Sequence, residues 1–87
     1  MVSKDDWRLQ GQENYLTGVR LYKKKYQQYG EEWDHDHCEF CSRKFSLVPT
    51  KGELSQGYST EDNYRWICEK CFNDFQELFK WQVTEII

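Results

Sequence analysis

All four cysteines of this 87-residue chain occur in two Cys-X-X-Cys pairs, one in HCEFCSRKF and one in WICEKCF. The two-residue gap lets both sulfurs of a pair turn toward one point, and thiolate is a soft ligand that zinc favours. Structural zinc sites hold four ligands in a tetrahedron, so the two pairs together supply a complete set. The pattern predicts one Zn²⁺ per chain, bound by Cys38, Cys41, Cys68 and Cys71.

The expected compartment decides between metal binding and disulfide formation. The N-terminus, MVSKDDWRLQ, has no apolar stretch that could serve as a secretory signal, and no apolar run is long enough to cross a membrane. We therefore expect a cytoplasmic protein with no membrane association, in which cysteines stay reduced. In that compartment paired CxxC units favour a metal over disulfides.

The second pair lies between two elements that the sequence predicts. Residues 57–67, GYSTEDNYRWI, combine strand-favouring aromatic residues with the turn residues EDN, which predicts a β-hairpin. The segment FNDFQELFKW follows the pair, and its phenylalanines fall on one face of a predicted helix. Residues 46–57 contain the only proline and two glycines, which indicates a loop.

Ahead of the metal module, residues 5–29 predict a helical arm. Five residues recur at intervals of 4, 3, 4 and 3, which is the spacing of one helix face. They are Tyr15, Val19, Tyr22, Tyr26 and Tyr29. We expect this face to pack on the metal module, and the alternative is a tyrosine-rich surface that binds a partner. The basic run at residues 23–25 predicts a solvated stripe near the end of this helix.

The order CxxC, loop, hairpin, CxxC, helix resembles the treble-clef zinc fingers, in which a zinc knuckle, a β-hairpin and an α-helix share one metal. The resemblance covers about residues 33–82. It implies that Cys68 and Cys71 lie at the end of the hairpin and in the first turn of the helix, where N–H groups stabilise thiolate. The combination of WDHDHCEFC and WICEKCFNDF is also similar to a group of small uncharacterised bacterial proteins, which implies no activity.

The predicted fold class is therefore α+β. We expect a single domain over residues 1–87, with a small zinc-stabilised, treble-clef-like module at residues 33–82. The parts of this module are the zinc knuckle, the β-hairpin and the C-terminal helix. We expect the N-terminal helix to pack on the module. A chain of this length buries a modest core and often needs a metal or another cross-link.

Large aromatic residues flank the CxxC pairs and supply much of the apolar content. Phe, Trp and Tyr make up 17% of the chain, although its mean hydropathy is −0.99. Rings beside the sulfurs are expected to pack around the metal and keep water away from it. The flanking residues are Trp33, Phe45, Trp66 and Phe72.

Two histidines stand beside the first cysteine in the motif DHDHC. We expect His35 and His37 to lie outside the coordination sphere, because four thiolates already complete it. In the alternatives, one replaces a cysteine, or both build a second metal site with Asp34 and Asp36. HNH nucleases have a treble-clef-like metal site, but they need a further histidine on the following helix, and none follows His37.

Charge and ligand chemistry narrow the classes of function. The net charge of −3 lacks the basic surface that phosphate binding needs, which argues against nucleic acid as a partner. The sequence shows no recognisable pair of a catalytic nucleophile and a general base. Four cysteine ligands would also leave no open position on the metal for water, so we expect no enzymatic activity. The predicted function is structural zinc binding in an interaction or adaptor module for a partner protein, monomeric by default. The alternatives are a thiol-based redox sensor that releases zinc on oxidation and a nucleic-acid-binding zinc finger.

Overall fold

The computed structural model describes residues 6–27, 35–47 and 52–85 as a small mixed α+β fold. Its elements in chain order are α1 (Glu13–Leu16), β1 (Arg20–Lys25), β2 (His35–His37), β3 (Lys44–Ser46), β4 (Gln56–Ser59), β5 (Trp66–Ile67), α2 (Glu69–Phe79) and β6 (Gln82–Glu85). The α+β class predicted from the sequence is therefore confirmed. Among the described helices, none is long and apolar enough to cross a membrane.

Within the described residues, β1 is an inner strand of a four-stranded sheet with the order β5-β4-β1-β6. It pairs antiparallel with β4 and parallel with β6, while β4 pairs antiparallel with β5. Strands β2 and β3 form a separate antiparallel hairpin. Because side chains alternate along a strand, the register places Tyr58 and Ile67 on one face of the sheet and Tyr22 and Trp66 on the other.

The predicted helical arm over residues 5–29 is wrong. Within residues 6–27 the helix covers only Glu13–Leu16, and the chain continues as strand β1. Gly18 ends the helical stretch with a φ of 74°, a left-handed conformation that favours glycine. Since β1 lies between β4 and β6, its backbone finds hydrogen-bond partners on both sides. Tertiary pairing of this kind overrides a helical spacing of side chains.

The predicted tyrosine stripe is consequently divided among different environments. Tyr15 lies on α1 and is exposed, Tyr22 is half-buried on β1, and Tyr26 is buried just beyond β1. Tyr29 lies outside the described residues. Within the described residues, the members of the stripe therefore do not make one continuous face that packs on the metal module or binds a partner.

The basic run at residues 23–25 is also strand rather than a solvated helical stripe. Lys24 is only 6% exposed. Its Nζ lies 5.7 Å from the centre of the Tyr22 ring and 5.9 Å from that of Trp66. Burial lowers the pKa of Lys24, since the interior disfavours the charged ammonium.

The predicted hairpin and C-terminal helix are confirmed. The turn between β4 and β5 is closed by Asp62, whose Oδ1 accepts hydrogen bonds from Thr60 Oγ1 at 2.6 Å and from the Tyr64 N–H at 3.0 Å. Helix α2 ends at Lys80, which adopts the left-handed conformation and donates its N–H to the Gln76 carbonyl. The buried face of α2 carries the predicted set of Phe72, Phe75 and Phe79.

Aromatic rings connect α2 to the rest of the molecule. Phe72 stacks on Tyr58 of β4 with ring centroids 3.8 Å apart and planes tilted by 4°. Phe40, which lies between the first two cysteines, stacks on Phe75 with centroids 4.8 Å apart. The first CxxC pair, the sheet and α2 therefore share one core.

Candidate metal centre

The Sγ atoms of Cys38, Cys41, Cys68 and Cys71 all lie within 4.8 Å of one another. None of these cysteines is in a disulfide, and the Sγ atoms of Cys41 and Cys68 are 3.6 Å apart. Tetrahedral coordination with Zn–S bonds of about 2.3 Å places sulfurs roughly 3.8 Å apart. A disulfide would need about 2.05 Å. The four sulfurs are thus positioned to bind one metal ion.

The first cysteine pair lies at the tip of the β2–β3 hairpin. The Cys38 N–H donates to the Arg43 carbonyl at 2.8 Å, and the Ser42 N–H donates to the Cys38 carbonyl at 3.1 Å. Ser42 has a φ of 68°, which folds the chain sharply back after Cys41. This tight turn brings both sulfurs of the pair to one side.

The second pair lies at the start of α2. Cys68 is the N-cap residue, and its Sγ accepts a hydrogen bond of 3.5 Å from the Cys71 N–H in the first helical turn. Sulfur here fills the role that Ser or Asp oxygen usually has at a helix N-terminus. The N–H groups of the first turn have no partner within the helix and carry partial positive charge, which stabilises a thiolate.

The two pairs meet because the first hairpin pairs with β5. Cys38 forms a parallel β-bridge with Trp66, and the Glu39 N–H donates to the Trp66 carbonyl at 2.8 Å. In addition, the Cys68 N–H points at Cys38 Sγ over 3.4 Å. Backbone pairing therefore sets the distance between the pairs.

The aromatic residues predicted to flank the metal are buried where the structure describes them. Trp66 and Phe45 have no exposed surface, and Phe72 is buried on α2. Trp33 lies outside the described residues. Apolar surroundings of this kind limit the access of water to the sulfurs.

Arg8 is a residue of this site that the sequence analysis missed. Its buried guanidinium places Nη1 3.5 Å from Cys71 Sγ and 2.9 Å from Asp74 Oδ2. The same group donates from Nε and Nη2 to the Asp6 carboxylate, at 2.9 and 2.8 Å. No motif or spacing links Arg8 to a cysteine 63 positions later, so only the tertiary structure reveals this contact.

Arg8 would supply positive charge to a site that four metal-bound thiolates would make negative. Its hydrogen bonds lower the pKa of Asp6 to about 2 and also lower the pKa of Asp74. In return, the hydrogen bond with Asp6 raises the pKa of Arg8. The group therefore stays ionised as a carboxylate–guanidinium–carboxylate cluster against Cys71.

The thiols also influence one another before a metal binds. The hydrogen bond with Cys68 lowers the pKa of Cys38, and the hydrogen bond with Cys38 raises the pKa of Cys68 to about 11. The pKa of Cys71 is likewise raised, chiefly through its hydrogen bond with Cys38. Metal binding would require the thiols to lose their protons, so the affinity for the metal would rise with pH.

The two histidines lie apart from this cluster. Among the described residues, the group of potential ligands contains the four cysteines and neither histidine. His35 and His37 are exposed on β2 with ring centroids 5.2 Å apart. Asp36 is buried and bound to Tyr26, and strand alternation directs it away from both rings. Asp34, the other carboxylate considered for a second site, lies outside the described residues.

Comparisons of the chain with protein-family models, with curated proteins and with solved structures found no match. The functional assignment therefore depends on the chemistry and geometry of the site itself.

Proposed function

We propose that this chain is a structural zinc-binding protein with a treble-clef-like fold, built as an interaction module for a partner protein. The observation that carries the proposal is the set of four Sγ atoms within 4.8 Å of one another. The order of the parts supports the treble-clef comparison. The zinc knuckle at the tip of the β2–β3 hairpin provides the first cysteine pair. The β4–β5 hairpin leads into α2, and the second cysteine pair lies at the start of that helix.

Zinc and iron are the metals that a tetrahedral site of four sulfurs favours. We propose zinc in a structural role, because a site with four protein ligands has no open position for a substrate or an activated water. We therefore propose that the protein is not an enzyme. Since three of the four cysteines are buried in the aromatic core, the metal would cross-link the parts of the chain that form this core.

Elemental analysis of the purified protein tests the metal assignment, with native mass spectrometry giving the stoichiometry. We expect one equivalent of zinc, lost on Cys38→Ser substitution and kept on Ser42→Ala substitution in the same turn. Iron in the protein purified from its native cells, or less than a tenth of an equivalent of any metal, would contradict the proposal.

The surface beside the metal centre supports the interaction role. The guanidinium of Arg65 lies 3.9 Å from the centre of the Tyr15 ring and 5.0 Å from that of Tyr64. Both tyrosines are more than 40% exposed. Glu39, inside the first CxxC pair, accepts hydrogen bonds from Arg65 at 3.0 Å and from the Tyr15 hydroxyl at 3.2 Å. We name these three stacked side chains, Tyr15, Arg65 and Tyr64, the Tyr–Arg surface.

Tyrosine and arginine are among the residue types enriched in the hot spots of protein interfaces. The Tyr–Arg surface is held by Glu39, so loading the metal would also order the binding site. A basic nucleic-acid surface has less support, because Lys24 of the one basic run is buried in the sheet.

A pull-down from the native cell tests the interaction role. The double variant Tyr15→Ser, Tyr64→Ser should lose a partner that the wild type retains, while Leu47→Ser, an exposed apolar residue elsewhere, should keep it. Both variants should first be shown to bind zinc. Retention of the same partner by the double variant would rule out the Tyr–Arg surface as its binding site.

A further inference from the structure

We infer that Cys41 is the sulfur at which the metal centre reacts with electrophiles and peroxides, and that Arg8 and backbone N–H groups protect the other three. This inference rests on the proposed metal site and adds a modification site to it. The four cysteines are all proposed metal ligands, but their surroundings differ.

The four sulfurs differ first in access to solvent. Cys38, Cys68 and Cys71 are buried, whereas Cys41 is only partly buried. Cys41 directly precedes the sharp turn at Ser42 in the β2–β3 hairpin tip, where Ser42 and Arg43 are exposed. Of the four cysteines, Cys41 therefore needs the least opening of the surrounding structure before a small reagent can reach it.

The sulfurs differ also in hydrogen bonding. Cys38 Sγ accepts from the N–H groups of Phe40 at 3.5 Å and Cys68 at 3.4 Å. Cys68 Sγ accepts from the Cys71 N–H at 3.5 Å. Cys71 Sγ accepts from the charged Arg8 guanidinium at 3.5 Å. In the described part of the chain no N–H group donates to Cys41 Sγ, whose sulfur contact is Cys68 Sγ at 3.6 Å.

Hydrogen bonds to a metal-bound thiolate withdraw electron density from sulfur and so reduce its nucleophilicity. A donor with a full positive charge, such as the Arg8 guanidinium, does this more strongly than a neutral amide. Cys41 therefore keeps the highest electron density and is also the most accessible sulfur. Access and nucleophilicity select the same residue.

With a peroxide as oxidant, the reaction has two steps. The Cys41 thiolate attacks one peroxide oxygen, the O–O bond breaks with loss of hydroxide or alkoxide, and Cys41 becomes a sulfenic acid. The Cys68 sulfur, 3.6 Å away, then attacks the Cys41 sulfur, a disulfide forms and hydroxide leaves. Sulfur is oxidised by two electrons and the peroxide is reduced. With two of the four ligand sulfurs joined in a disulfide, the site could no longer hold a tetrahedrally bound metal.

Limited alkylation of the zinc-loaded protein tests the order of reactivity. Iodoacetamide forms an S–C bond and releases iodide, and peptide mass spectrometry identifies the labelled cysteine. We expect Cys41 to be labelled about 10-fold or more faster than Cys38, Cys68 or Cys71, in line with the effects of residues that support metal ligands. Equal labelling of the four, or earlier labelling of a buried cysteine, would overturn the inference.

A substitution of Arg8 tests the protecting role. Arg8→Gln should raise the alkylation rate of Cys71 about 10-fold relative to Cys38 in the same molecule. Arg20→Gln is the matched control, because Arg20 is exposed and its guanidinium donates to Gln82 and Thr84 on β6. If Arg8→Gln does not hold zinc, Arg8→Lys is the second variant. Lysine keeps the positive charge but cannot form the several hydrogen bonds of the planar guanidinium, so the alkylation rate of Cys71 should be intermediate. An unchanged Cys71 rate in the zinc-loaded Arg8 variant would overturn the role of Arg8.

Treatment with hydrogen peroxide tests the second step. Zinc release should coincide with a disulfide between Cys41 and Cys68, identified by mapping of non-reduced peptides. A different first disulfide would contradict the proposed pairing. Zinc content measured beforehand separates the outcomes: a protein without zinc refutes the proposed function, whereas a zinc-loaded protein with another reactive cysteine refutes only this inference.

Discussion

The hydroxyl of Tyr26 donates a hydrogen bond of 2.9 Å to Oδ2 of Asp36, and both side chains are buried. The bond joins the residue that follows β1 to the middle of β2, the strand that leads into the first cysteine pair. The Tyr26 ring also packs on Trp66, with ring centroids 5.0 Å apart. This one side chain therefore connects the main sheet to the metal-binding hairpin.

Tyr26→Phe tests this connection. The variant keeps the ring but removes the donor, which leaves a buried carboxylate without that partner. We expect the free energy of unfolding to fall by about 1–3 kcal/mol, measured by urea denaturation of the zinc-loaded protein. Tyr22→Phe, on a half-buried ring of β1, is the control and should change the free energy of unfolding by less than about 0.5 kcal/mol. An equal effect of the two substitutions would contradict the role given to the Tyr26 hydroxyl.

Gly57→Ala tests the packing between the sheet and the β2–β3 hairpin. A Cβ at Gly57 would lie 2.6 Å from Cε1 of Phe45 and 2.9 Å from the Ile67 carbonyl oxygen. Overpacking of this kind costs about 1–3 kcal/mol, which thermal or urea unfolding would detect. Adding Phe45→Leu should recover part of the loss in a double-mutant comparison. A fully stable Gly57→Ala protein would show that this contact is looser than described.

Removal of the metal should unfold the chain. Structural zinc contributes roughly 10–16 kcal/mol of apparent binding free energy in small zinc-finger peptides, which exceeds the stability of most domains. Cys68→Ser, or chelation of the wild type, should therefore collapse the dispersed amide spectrum of residues 35–47 and 52–85. Re-addition of zinc to the chelated wild type should restore it. A folded spectrum after complete chelation would refute the structural role of the metal.

The histidines beside the first pair should be dispensable for the metal. Both are exposed on β2, and the four sulfurs alone supply a tetrahedral set. The double variant His35→Ala, His37→Ala is expected to keep one equivalent of zinc and the wild-type amide spectrum. Loss of zinc from it would show that the coordination includes nitrogen.

Local patterns predicted the elements whose shape depends on neighbouring residues. The turn residues EDN between strand-forming aromatics correspond to the β4–β5 hairpin, because Asp62 closes that turn through its own side chain. The spacing of Phe72, Phe75 and Phe79 corresponds to the buried face of α2. In both cases the forces that shape the segment act over a few residues.

Spacing was misleading between residues 15 and 26. Intervals of four and three residues describe a helix face, but they say nothing about strands that pair from elsewhere in the chain. β1 exists because β4 and β6, which lie more than 30 positions later, provide hydrogen-bond partners on its two sides. That pairing also buried Lys24, which the sequence alone indicated as solvated.

The sequence by itself determined the ligand chemistry of this protein, since two CxxC pairs are the only cysteines in the chain and each pair converges through its own short turn. The tertiary structure decided how the four sulfurs differ. Arg8 reaches Cys71 across 63 positions, backbone N–H groups point at Cys38 and Cys68, and Cys41 is only partly buried. The physical reason is that hydrogen bonding and exposure depend on distant segments that fold against the site, and no local pattern encodes those contacts.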